Sequence, residues 1–550
     1  MKKRMTKLLS LFTATMMVTS ALTGCGSKEE ETQTAQTSKS ESSASVESTS
    51  EAASEGVEEF SYPMESGHTV VYWMELNSAA SANFLSMDET EFGKALQEQT
   101  GIEIEYQHPA SGQAKEQFNL MLADGNLPDI IEWKWLTDYT GGPAKAIEDG
   151  VVIPLNDIID EYCPNLKAYL EEHPDIDKEI KTDDGQYYMF PTINGTRESF
   201  GGYIREDWLK ELNLEIPASM DDWYHVLTVF KNEKGTEAPL SIAWSALITN
   251  SPWAYAYGVG GKSFVVEEDT VVYAPISDGY KEFLTTLNKW YEDGLLDPEL
   301  ATIKNTQVTA KIATGLSGAS AGYLASAMQV QITAGIAEAP EFSLVATPVP
   351  EVTEGVAPEY ANTTRGIGAI GAAITTQCED IEAAARLLDY CYAGDGLMLF
   401  NYGIEGVSYE MVDGNPVYTD EIFNNPDGLE QSAALGKYQR ASYNGPGIQL
   451  ADRYKQTLLY ENTQNARETW QVEGAVDHVL PALTLTTEES SEYATIMNEI
   501  TTYVDEWTLK FVMGTESLDN WDTYVQTIQQ FGITRATEIQ QAAYDRYLVR

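Results

Sequence analysis

Basic residues are scarce in this chain of 550 residues, in which 34 Lys and Arg stand against 85 Asp and Glu. Binding to nucleic acid or to anionic lipid headgroups requires clustered Lys and Arg, so the acidic composition argues against both kinds of partner. Apolar residues are not lacking: 43% of the chain is hydrophobic and 10% is aromatic, which excludes disorder throughout. The length suits two or three domains of about 100–200 residues each.

Histidine and cysteine are also rare, with five His and four Cys in the whole chain. The His residues are scattered and lack the paired spacing of a zinc site, which argues against a transition-metal centre. Cys163, Cys378 and Cys391 do not make a disulfide framework, and we expect them to be buried as small apolar residues. The sequence therefore predicts no metal and no other cofactor.

Long apolar runs are missing from most of the chain. The longest uncharged stretch, residues 312–337, consists largely of Gly, Ala, Ser, Thr and Gln. Such a composition does not suit contact with lipid, so we expect a buried region of small residues or a loop. Within this stretch, residues 318–322 match the hydrolase pattern G-x-S-x-G, but no convincing strand precedes them, and His478 is the only downstream His. A loop at the edge of a cleft is the expected structure.

The N-terminal segment has the features of an export signal. Lys2, Lys3, Arg4 and Lys7 form a positive region, and the uncharged residues 8–22 follow. This apolar part is too short for a comfortable membrane span and is typical of a secretory signal peptide.

The signal ends at Leu22-Thr-Gly-Cys25, which resembles the lipobox of bacterial lipoproteins. Residues 1–24 would then be the signal peptide, and Cys25 would carry the lipid (a diacylglyceryl group and further acyl chains such as palmitate) that holds the protein at the membrane. The alternative is an ordinary signal with a chance Cys. Residues 25–59 contain this Cys and a stretch rich in Ser and Glu, without aromatics or Pro, and we expect a disordered tether.

Strand and helix patterns alternate in the first part of the remaining chain. Residues 69–74, 102–106 and 129–133 read as strands, and residues 91–100 and 114–123 read as helices between them. This alternation is typical of α/β layer folds. A helical middle follows, after which strand patterns return. The sequence therefore predicts two discontinuous lobes, and ligand sites commonly lie in the cleft where such lobes meet.

A further match, Gly366-Ile-Gly-Ala-Ile-Gly371, fits the dinucleotide pattern G-x-G-x-x-G. That fingerprint requires a helix immediately after it, whereas a strand-like sequence follows in this chain. A chance match inside a strand is the expected explanation. Asp175, Asp177, Asp183 and Asp184 form an acidic cluster without the ligand order of an EF-hand, and we expect a solvated loop there.

Several longer segments together carry a family resemblance. They are Met121-Leu-Ala-Asp-Gly-Asn-Leu-Pro-Asp-Ile-Ile131, Tyr187-Tyr-Met-Phe-Pro-Thr192, Ile204-Arg-Glu-Asp-Trp-Leu-Lys-Glu-Leu-Asn-Leu-Glu-Ile-Pro217, Trp290-Tyr-Glu-Asp-Gly-Leu-Leu-Asp-Pro298 and Asn401-Tyr-Gly-Ile-Glu-Gly406. In this order, behind a lipobox, they make the chain similar to family 1 extracellular solute-binding proteins, the lipoprotein receptors of ABC importers. The similarity is greatest to the oligosaccharide-type branch of that family.

The resemblance implies an α/β, type II periplasmic-binding-protein-like flytrap, with two lobes that close on a ligand by hinge bending. Lobe 1 would contain residues 60–190 and 342–401, and lobe 2 would contain residues 191–341 and 402–550. The implied partners are an oligosaccharide, the permease subunits of an ABC transporter and the membrane, through the lipid anchor. The protein would be a monomer on the extracellular face of the bacterial cytoplasmic membrane, and it would not be an enzyme.

The resemblance also implies ligand-binding positions after the predicted strands and in the second lobe, together with a weaker candidate, Arg365. The positions are Trp73, Glu75, Asn77, Trp133, Trp135, Trp253, Tyr255 and Tyr323. Aromatic rings suit the apolar faces of sugars, and α/β proteins bind ligands at the carboxyl ends of strands. Packing in a core is the alternative for these aromatic residues. Trp208, Trp223 and Trp290 lie at helical spacings and are assigned to cores.

Two other functions stay open at the level of sequence. The first is a tethered glycan-active hydrolase or lyase, because among 85 acidic residues some pair always has the spacing of catalytic carboxylates. The second is a binding protein for peptides, which would keep the two-lobe fold and change the ligand.

Overall fold

The computed structural model describes residues 61–196, 199–440 and 445–550, apart from the side chain of Ser78. The predicted signal peptide, Cys25 and the predicted tether lie outside the described residues. Within the described part of the chain, no helix combines the length and apolar character needed to cross a membrane.

The strands lie in both halves of the described chain, and most are short. They are β1 (His68–Trp73), β2 (Ile102–Gln107), β3 (Ile130–Trp133), β4 (Phe190–Asn194), β5 (Phe200–Arg205), β6 (Phe264–Glu267), β7 (Thr270–Tyr273), β8 (Ala319–Tyr323), β9 (Leu344–Ala346), β10 (Ile367–Ile374), β11 (Tyr409–Val412), β12 (Asn415–Tyr418) and β13 (Gly447–Gln449).

The helices that precede β8 are interspersed with strands. They are α1 (Ser78–Ser81), α2 (Glu91–Thr100), α3 (Ala114–Asp124), α4 (Gly142–Glu148), α5 (Asn156–Tyr162), α6 (Pro164–Glu172), α7 (Pro174–Glu179), α8 (Glu206–Leu212), α9 (Met220–Glu233), α10 (Trp244–Thr249), α11 (Pro252–Tyr255), α12 (Asp278–Glu292) and α13 (Asn305–Ala313).

The helices after β8 include the longest one, α21. They are α14 (Val330–Glu338), α15 (Ile381–Asp389), α16 (Gly394–Tyr402), α17 (Asp420–Phe423), α18 (Gln431–Tyr438), α19 (Ala451–Gln456), α20 (Glu461–Trp470), α21 (Thr487–Val512), α22 (Trp521–Gln530) and α23 (Ile533–Val549).

A six-stranded mixed sheet with the order β13-β4-β10-β3-β1-β2 forms one centre of the fold. β1 is parallel to β2 and β3, while β10 runs antiparallel to both β3 and β4. The parallel strands β1 and β3 therefore end at the same edge of the sheet. The core around this sheet includes Val70, Ile104, Ile131 and Ile374, which are at most 5% exposed.

A second, three-stranded sheet with the order β8-β5-β9 is antiparallel and has its own cores. Its larger core includes Trp208, Trp223 and Trp290, as the sequence predicts, and it contains residues of α12, α21, α22 and α23. The described chain is thus a mixed α/β structure whose two largest sheets lie on separate cores, beside the two-stranded sheets β6-β7 and β11-β12, which confirms the α/β prediction.

Two short strands, β9 and β13, lie in the sheet of one lobe although the predicted boundaries assign their residues to the other lobe. β9 follows residue 342, the predicted return to lobe 1, yet it pairs with β5 in the three-stranded sheet. β13 follows residue 402, the predicted start of the last lobe 2 segment, yet it pairs with β4 in the six-stranded sheet. A segment of only three residues does not show in the sequence which sheet it joins.

The stretch of small residues at 312–337 contains regular structure rather than a loop. It forms the end of α13, then β8, and then a wider helical turn that leads into α14. The match to G-x-S-x-G therefore lies largely within a strand. The small residues are required by close packing, because a Cβ atom at Gly318 would lie 2.4 Å from the ring of Phe230. The G-x-G-x-x-G match lies in β10, as the sequence predicts.

Candidate ligand-binding site

A cavity of about 720 Å³ lies at the edge of the six-stranded sheet where β1 and β3 end. Trp73 is the last residue of β1, and Trp133 is the last residue of β3. Tyr323, the last residue of β8, lines the same cavity from the three-stranded sheet. The cavity therefore receives residues from both sheets, and its volume lies in the usual range for small-molecule sites.

One wall of the cavity is a packed group of aromatic rings. The rings of Trp73 and Trp133 meet edge to face, with their centroids 5.7 Å apart. Phe118 stacks against Trp133 at 4.2 Å and fixes the ring from behind. Because Trp73 and Trp133 are only 6% and 7% exposed, they offer a rigid apolar surface to the cavity.

Two N–H donors beside this wall have no acceptor among the described residues. The side-chain oxygen of Asn77 accepts hydrogen bonds from the backbone N–H groups of Ala79 and Ala80, at 3.1 and 2.9 Å, which orients the amide. Its Nδ2 atom and the Nε1 atom of Trp133 are buried and unpartnered within the described part of the chain. A buried donor without an acceptor costs about 1–3 kcal/mol. The core residues Trp223 and Trp253 have unpartnered Nε1 atoms as well, so such a donor does not by itself mark a ligand position.

A buried ion pair also lines the cavity. Glu132 and Arg440 are 6% and 4% exposed, and the Nη2 atom of Arg440 lies 2.8 and 2.6 Å from the two carboxylate oxygens. The hydroxyl of Tyr72 donates to the same carboxylate at 2.6 Å. Burial and the charge of Glu132 hold the pKa of Tyr72 well above its ordinary value, so this hydroxyl remains a donor. Burial, the largest single effect, would lower the pKa of Arg440, but Glu132, Tyr72 and Tyr106 together raise the pKa.

The charges around the cavity balance one another, although the whole chain is strongly acidic. Its described lining has three cationic and three anionic side chains: Lys115, Lys134, Arg440, Glu75, Glu132 and Asp138. Glu132 pairs with Arg440, and Lys115 lies 3.8 Å from Asp138. This balance favours a ligand without net charge over a polyanion.

Five of the positions that the resemblance implies are brought together at this cavity. They are Trp73, Glu75, Asn77, Trp133 and Tyr323. The ring of Tyr323 is 47% exposed and is held edge-on by Phe200, at 5.1 Å between centroids. Tyr323 therefore faces the aromatic wall from the opposite sheet.

Trp135 lies outside the cavity although it is only two residues from Trp133. It is fully buried, and its Nε1 donates to the carbonyl oxygen of Gly371 at 3.2 Å. The strand ends at Trp133, so the alternation of side chains does not continue to Trp135. With no exposed face, this indole packs in the core, and we do not include it in the proposed ligand surface.

Trp253 and Tyr255 also lie outside the lining of the cavity. Trp253 is fully buried and packs edge-on against Trp223 and Trp290, at 5.2 and 6.2 Å. Tyr255 is 6% exposed, and burial raises its pKa to about 12, while Asn362 donates to its hydroxyl at 3.3 Å. Both residues therefore pack in the core, which is the alternative to ligand binding for these aromatic residues.

Arg365 is engaged at a different place in the molecule. Its Nε atom donates to the buried carboxylate of Glu179 at 2.5 Å. Glu179 also accepts from the hydroxyl of Tyr547 at 3.1 Å and from the backbone N–H of Ala482 at 2.8 Å. Burial would lower the pKa of Arg365, but Glu179 reverses this and raises the pKa. Arg365 therefore acts as a structural partner that connects residues on the two cores.

Two residues of the acidic cluster, Asp177 and Asp183, are paired with cations. Arg546 and Arg550 both pair with Asp183, and Thr484 donates to the same carboxylate at 2.9 Å. Lys181 pairs with Asp177 at 2.6 Å. In residues 61–196, 199–440 and 445–550, no three His, Cys, Asp or Glu side chains are grouped so that they could hold a metal ion.

Sequence reasoning missed several residues of the cavity. Arg440 lies 308 positions after Glu132, and no pattern in the chain connects the two residues. Gln449 comes from β13, which is too short to stand out as a strand. Asn194 lies at the end of β4, where polar residues after a buried strand could have been considered.

Comparison with known proteins agrees with this geometry. Residues 86–396 match the model of the family described as bacterial extracellular solute-binding protein. The chain is 25% identical over 485 residues to the fructooligosaccharide ABC transporter substrate-binding protein FusA of Streptococcus pneumoniae serotype 4, covering 82% of this chain and 86% of FusA. It is 25% identical over 370 residues to lipoprotein LipO of Bacillus subtilis, covering 63% and 68% of the two chains.

Solved structures share the fold over nearly the whole described chain. The alginate-binding protein AlgQ2, crystallised without calcium ion, has a TM-score of 0.71 at 24% identity and covers 89% of this chain and 100% of its own. FusA from S. pneumoniae in complex with kestose has a TM-score of 0.68 at 22% identity, with 88% and 99% covered. The fold is therefore the two-lobe, type II periplasmic-binding-protein-like fold, and the chain belongs to the family of bacterial extracellular solute-binding proteins.

Proposed function

We propose that this protein is the extracellular receptor of an ABC importer, and that it captures an oligosaccharide in the cavity between its two sheets. The observation that carries the proposal is a rigid aromatic wall, formed by Trp73 and Trp133, in a cavity whose other lining residues are largely polar or charged. Sugars present apolar C–H faces for such rings and hydroxyl groups for such polar side chains. The similarity of the chain to FusA, a fructooligosaccharide ABC transporter substrate-binding protein, is consistent with this ligand class.

The balanced charges of the described lining support a neutral oligosaccharide rather than a uronate. The cations Arg440 and Lys115 already face Glu132 and Asp138, so a carboxylate-bearing sugar would compete with groups of the protein itself.

The ligand is proposed to stabilise a closed state of the two lobes. Trp73 and Trp133 belong to the six-stranded sheet, and Tyr323 belongs to the three-stranded sheet. A ligand that touches both walls binds the closed state better than the open state and shifts the population towards closure. We propose that one lobe consists of the six-stranded sheet with its core and the other of the three-stranded sheet with its cores. The position of the hinge stays a prediction.

Lipidation at Cys25 is proposed to hold the receptor at the membrane beside its permease. The similarity to lipoprotein LipO is consistent with this anchor. We expect that Cys25→Ser leaves the folded domain intact and moves the protein from the membrane fraction to the medium of the host bacterium, since the acyl chains provide the membrane affinity. Immunoblots of the two fractions measure the ratio. Membrane retention of the Cys25→Ser protein at the level of the unaltered protein would contradict the anchor.

The ligand class is tested by thermal unfolding of the protein that begins after Cys25, in the presence of neutral oligosaccharides, oligogalacturonides and peptides. A ligand at 100 times its Kd adds about 2.7 kcal/mol to the free energy of unfolding, which in a domain of this size raises Tm by a few degrees. We expect this increase with one series of neutral oligosaccharides and none with peptides. The same samples are assayed for new reducing ends or unsaturated products.

Two outcomes would overturn the proposal. An increase in Tm with peptides alone would replace the oligosaccharide by a peptide ligand. Sustained turnover of a glycan, lost when Glu75 or Asp138 is replaced by its amide, would show a glycan-active enzyme instead of a receptor.

A further inference from the structure

A second cavity, of about 960 Å³, adjoins the first one. One of its sides is the segment 136–143 that follows β3, together with parts of α3 and α4. The other side is the segment 480–485 with the first turns of α21. Tyr139 belongs to the core of the six-stranded sheet, whereas Leu483 belongs to the large core of the three-stranded sheet. The second cavity is therefore also formed by both cores.

The two cavities meet at Lys115 and Asp138, which line both of them. The Nζ atom of Lys115 and the nearer carboxylate oxygen of Asp138 are 3.8 Å apart, and the lysine side chain is 69% exposed. A mobile, solvated pair of this kind contributes little to stability and forms no closed wall. The two cavities, together called the groove, thus border each other at this pair.

The chemistry of the second cavity resembles that of the first. Hydroxyl and amide groups, such as those of Thr137, Ser490 and Gln540, alternate with apolar surfaces, such as those of Leu480 and Tyr493. Such a mixture suits the hydroxyl groups and C–H faces of a sugar better than it suits a purely apolar ligand.

The charged groups on the second cavity are largely engaged with the protein itself. Lys145 is held by Asp149 and by Glu148, and Lys115 faces Asp138 as described above. The described lining therefore carries no unbalanced cluster of one sign, and it suits a neutral continuation of a neutral ligand.

The size of the groove exceeds the needs of a short ligand. Sites for small molecules measure about 300–1,000 Å³, so each cavity alone is large enough for a complete ligand. The first cavity, at about 720 Å³, already contains the aromatic wall. The second therefore offers room for additional units of a ligand that is anchored in the first.

We propose that the second cavity is an extension of the binding site that holds further sugar units of the same oligosaccharide, so that the receptor prefers longer chains. This proposal rests on the function proposed above, and it adds a site and a chain-length preference to it. The ligand crosses from one cavity to the other over the side chains of Lys115 and Asp138.

The test uses two ladders of purified oligomers, fructans that begin with kestose and oligogalacturonides, each from the disaccharide or trisaccharide to the octasaccharide. The Kd of each oligomer is measured by isothermal titration calorimetry with the complete protein after Cys25. We expect affinity to rise by about tenfold or more between the trisaccharide and the hexasaccharide of the series that binds, and then to level off when the groove is filled.

The matched variants are Ala494→Trp and Thr501→Trp. Both residues are exposed on α21, but Ala494 lines the second cavity and Thr501 does not. We expect Ala494→Trp to remove the advantage of the hexasaccharide while leaving the Kd of the trisaccharide within about twofold, because the indole occupies the second cavity only. Thr501→Trp should leave both affinities unchanged. Equal Tm values of the unliganded variants show that both are folded.

The outcomes separate this proposal from the proposed function. Equal affinities for short and long oligomers, with binding of both, would overturn the extension and keep the oligosaccharide receptor. A loss of affinity for trisaccharide and hexasaccharide alike in Ala494→Trp would place the ligand differently and would also overturn it. If neither ladder nor any other neutral oligosaccharide binds, the proposed function fails and the extension fails with it.

Discussion

Replacing Glu132 by alanine is expected to lower the free energy of unfolding by about 3–5 kcal/mol. Arg440 would keep its charge in a position that is 4% exposed, without the carboxylate that lies 2.6–2.8 Å from it. Removing one partner of a buried ion pair has this cost because the remaining charge loses its counter-charge. The hydroxyl of Tyr72 would lose its acceptor as well. Denaturant unfolding at neutral pH measures the change.

Two control variants separate the buried charge from the general effect of a substitution. The double variant Glu132→Leu with Arg440→Met removes both charges and should recover most of the lost stability, because apolar residues of similar volume often replace buried ion pairs without loss. Glu492→Ala breaks the pair with Arg535, whose side chains are 45% and 48% exposed, and should have no measurable effect. A stability loss for Glu132→Ala as small as that of Glu492→Ala would refute the importance of the buried pair.

Replacing Trp133 by alanine is expected to weaken binding of the preferred oligosaccharide by about 30- to 1,000-fold, which corresponds to about 2–4 kcal/mol. The substitution removes the ring that packs on Trp73 and Phe118 and lines the cavity. Titration calorimetry with the unaltered protein and the variant gives the ratio of the Kd values. Circular dichroism and Tm of the variant show whether it remains folded.

Conservative variants resolve the two contributions of this residue. Trp133→Phe retains an aromatic ring on Phe118 but lacks the Nε1–H group, and we expect a loss of about tenfold. Trp135→Phe serves as the matched control, because its indole donates to Gly371 in the core and does not line the cavity. It should reduce stability without changing the affinity. Unchanged affinity in Trp133→Ala would contradict the placement of the ligand at this wall.

The local structure of the first segment follows directly from its sequence. Strands predicted at 69–74, 102–106 and 129–133 correspond to β1, β2 and β3, and the helix predicted at 91–100 is α2. A capping box formed by Ser219 and Asp222 opens α9. Each of these elements has either a strong apolar periodicity or a terminal residue that makes a defined hydrogen bond. In both cases the tertiary contacts agree with the secondary structure that the local sequence prefers.

The parts that sequence did not predict depend on contacts between distant residues. Gly and Ala have little preference for strands, yet β8 forms because its small residues allow β5 and the side chains behind it to approach closely. By residue type, Trp133 and Trp135 suit a sugar equally well. Only the position at which β3 ends separates Trp133, which lines the cavity, from Trp135, which packs in the core. The partnership of Arg440 with Glu132 requires the folded arrangement of both.

The strand order of the six-stranded sheet has a consequence for the kinetics of folding. β10 separates β3 from β4, and β13 adds the last strand at the edge, so residues more than 170 positions apart must pair before the sheet is complete. Closing such long loops costs entropy before the pairing compensates for it, which slows folding. During synthesis, residues 61–196 emerge without the strand that joins β3 to β4. We therefore infer that the complete six-stranded sheet forms late, after most of the chain has been made.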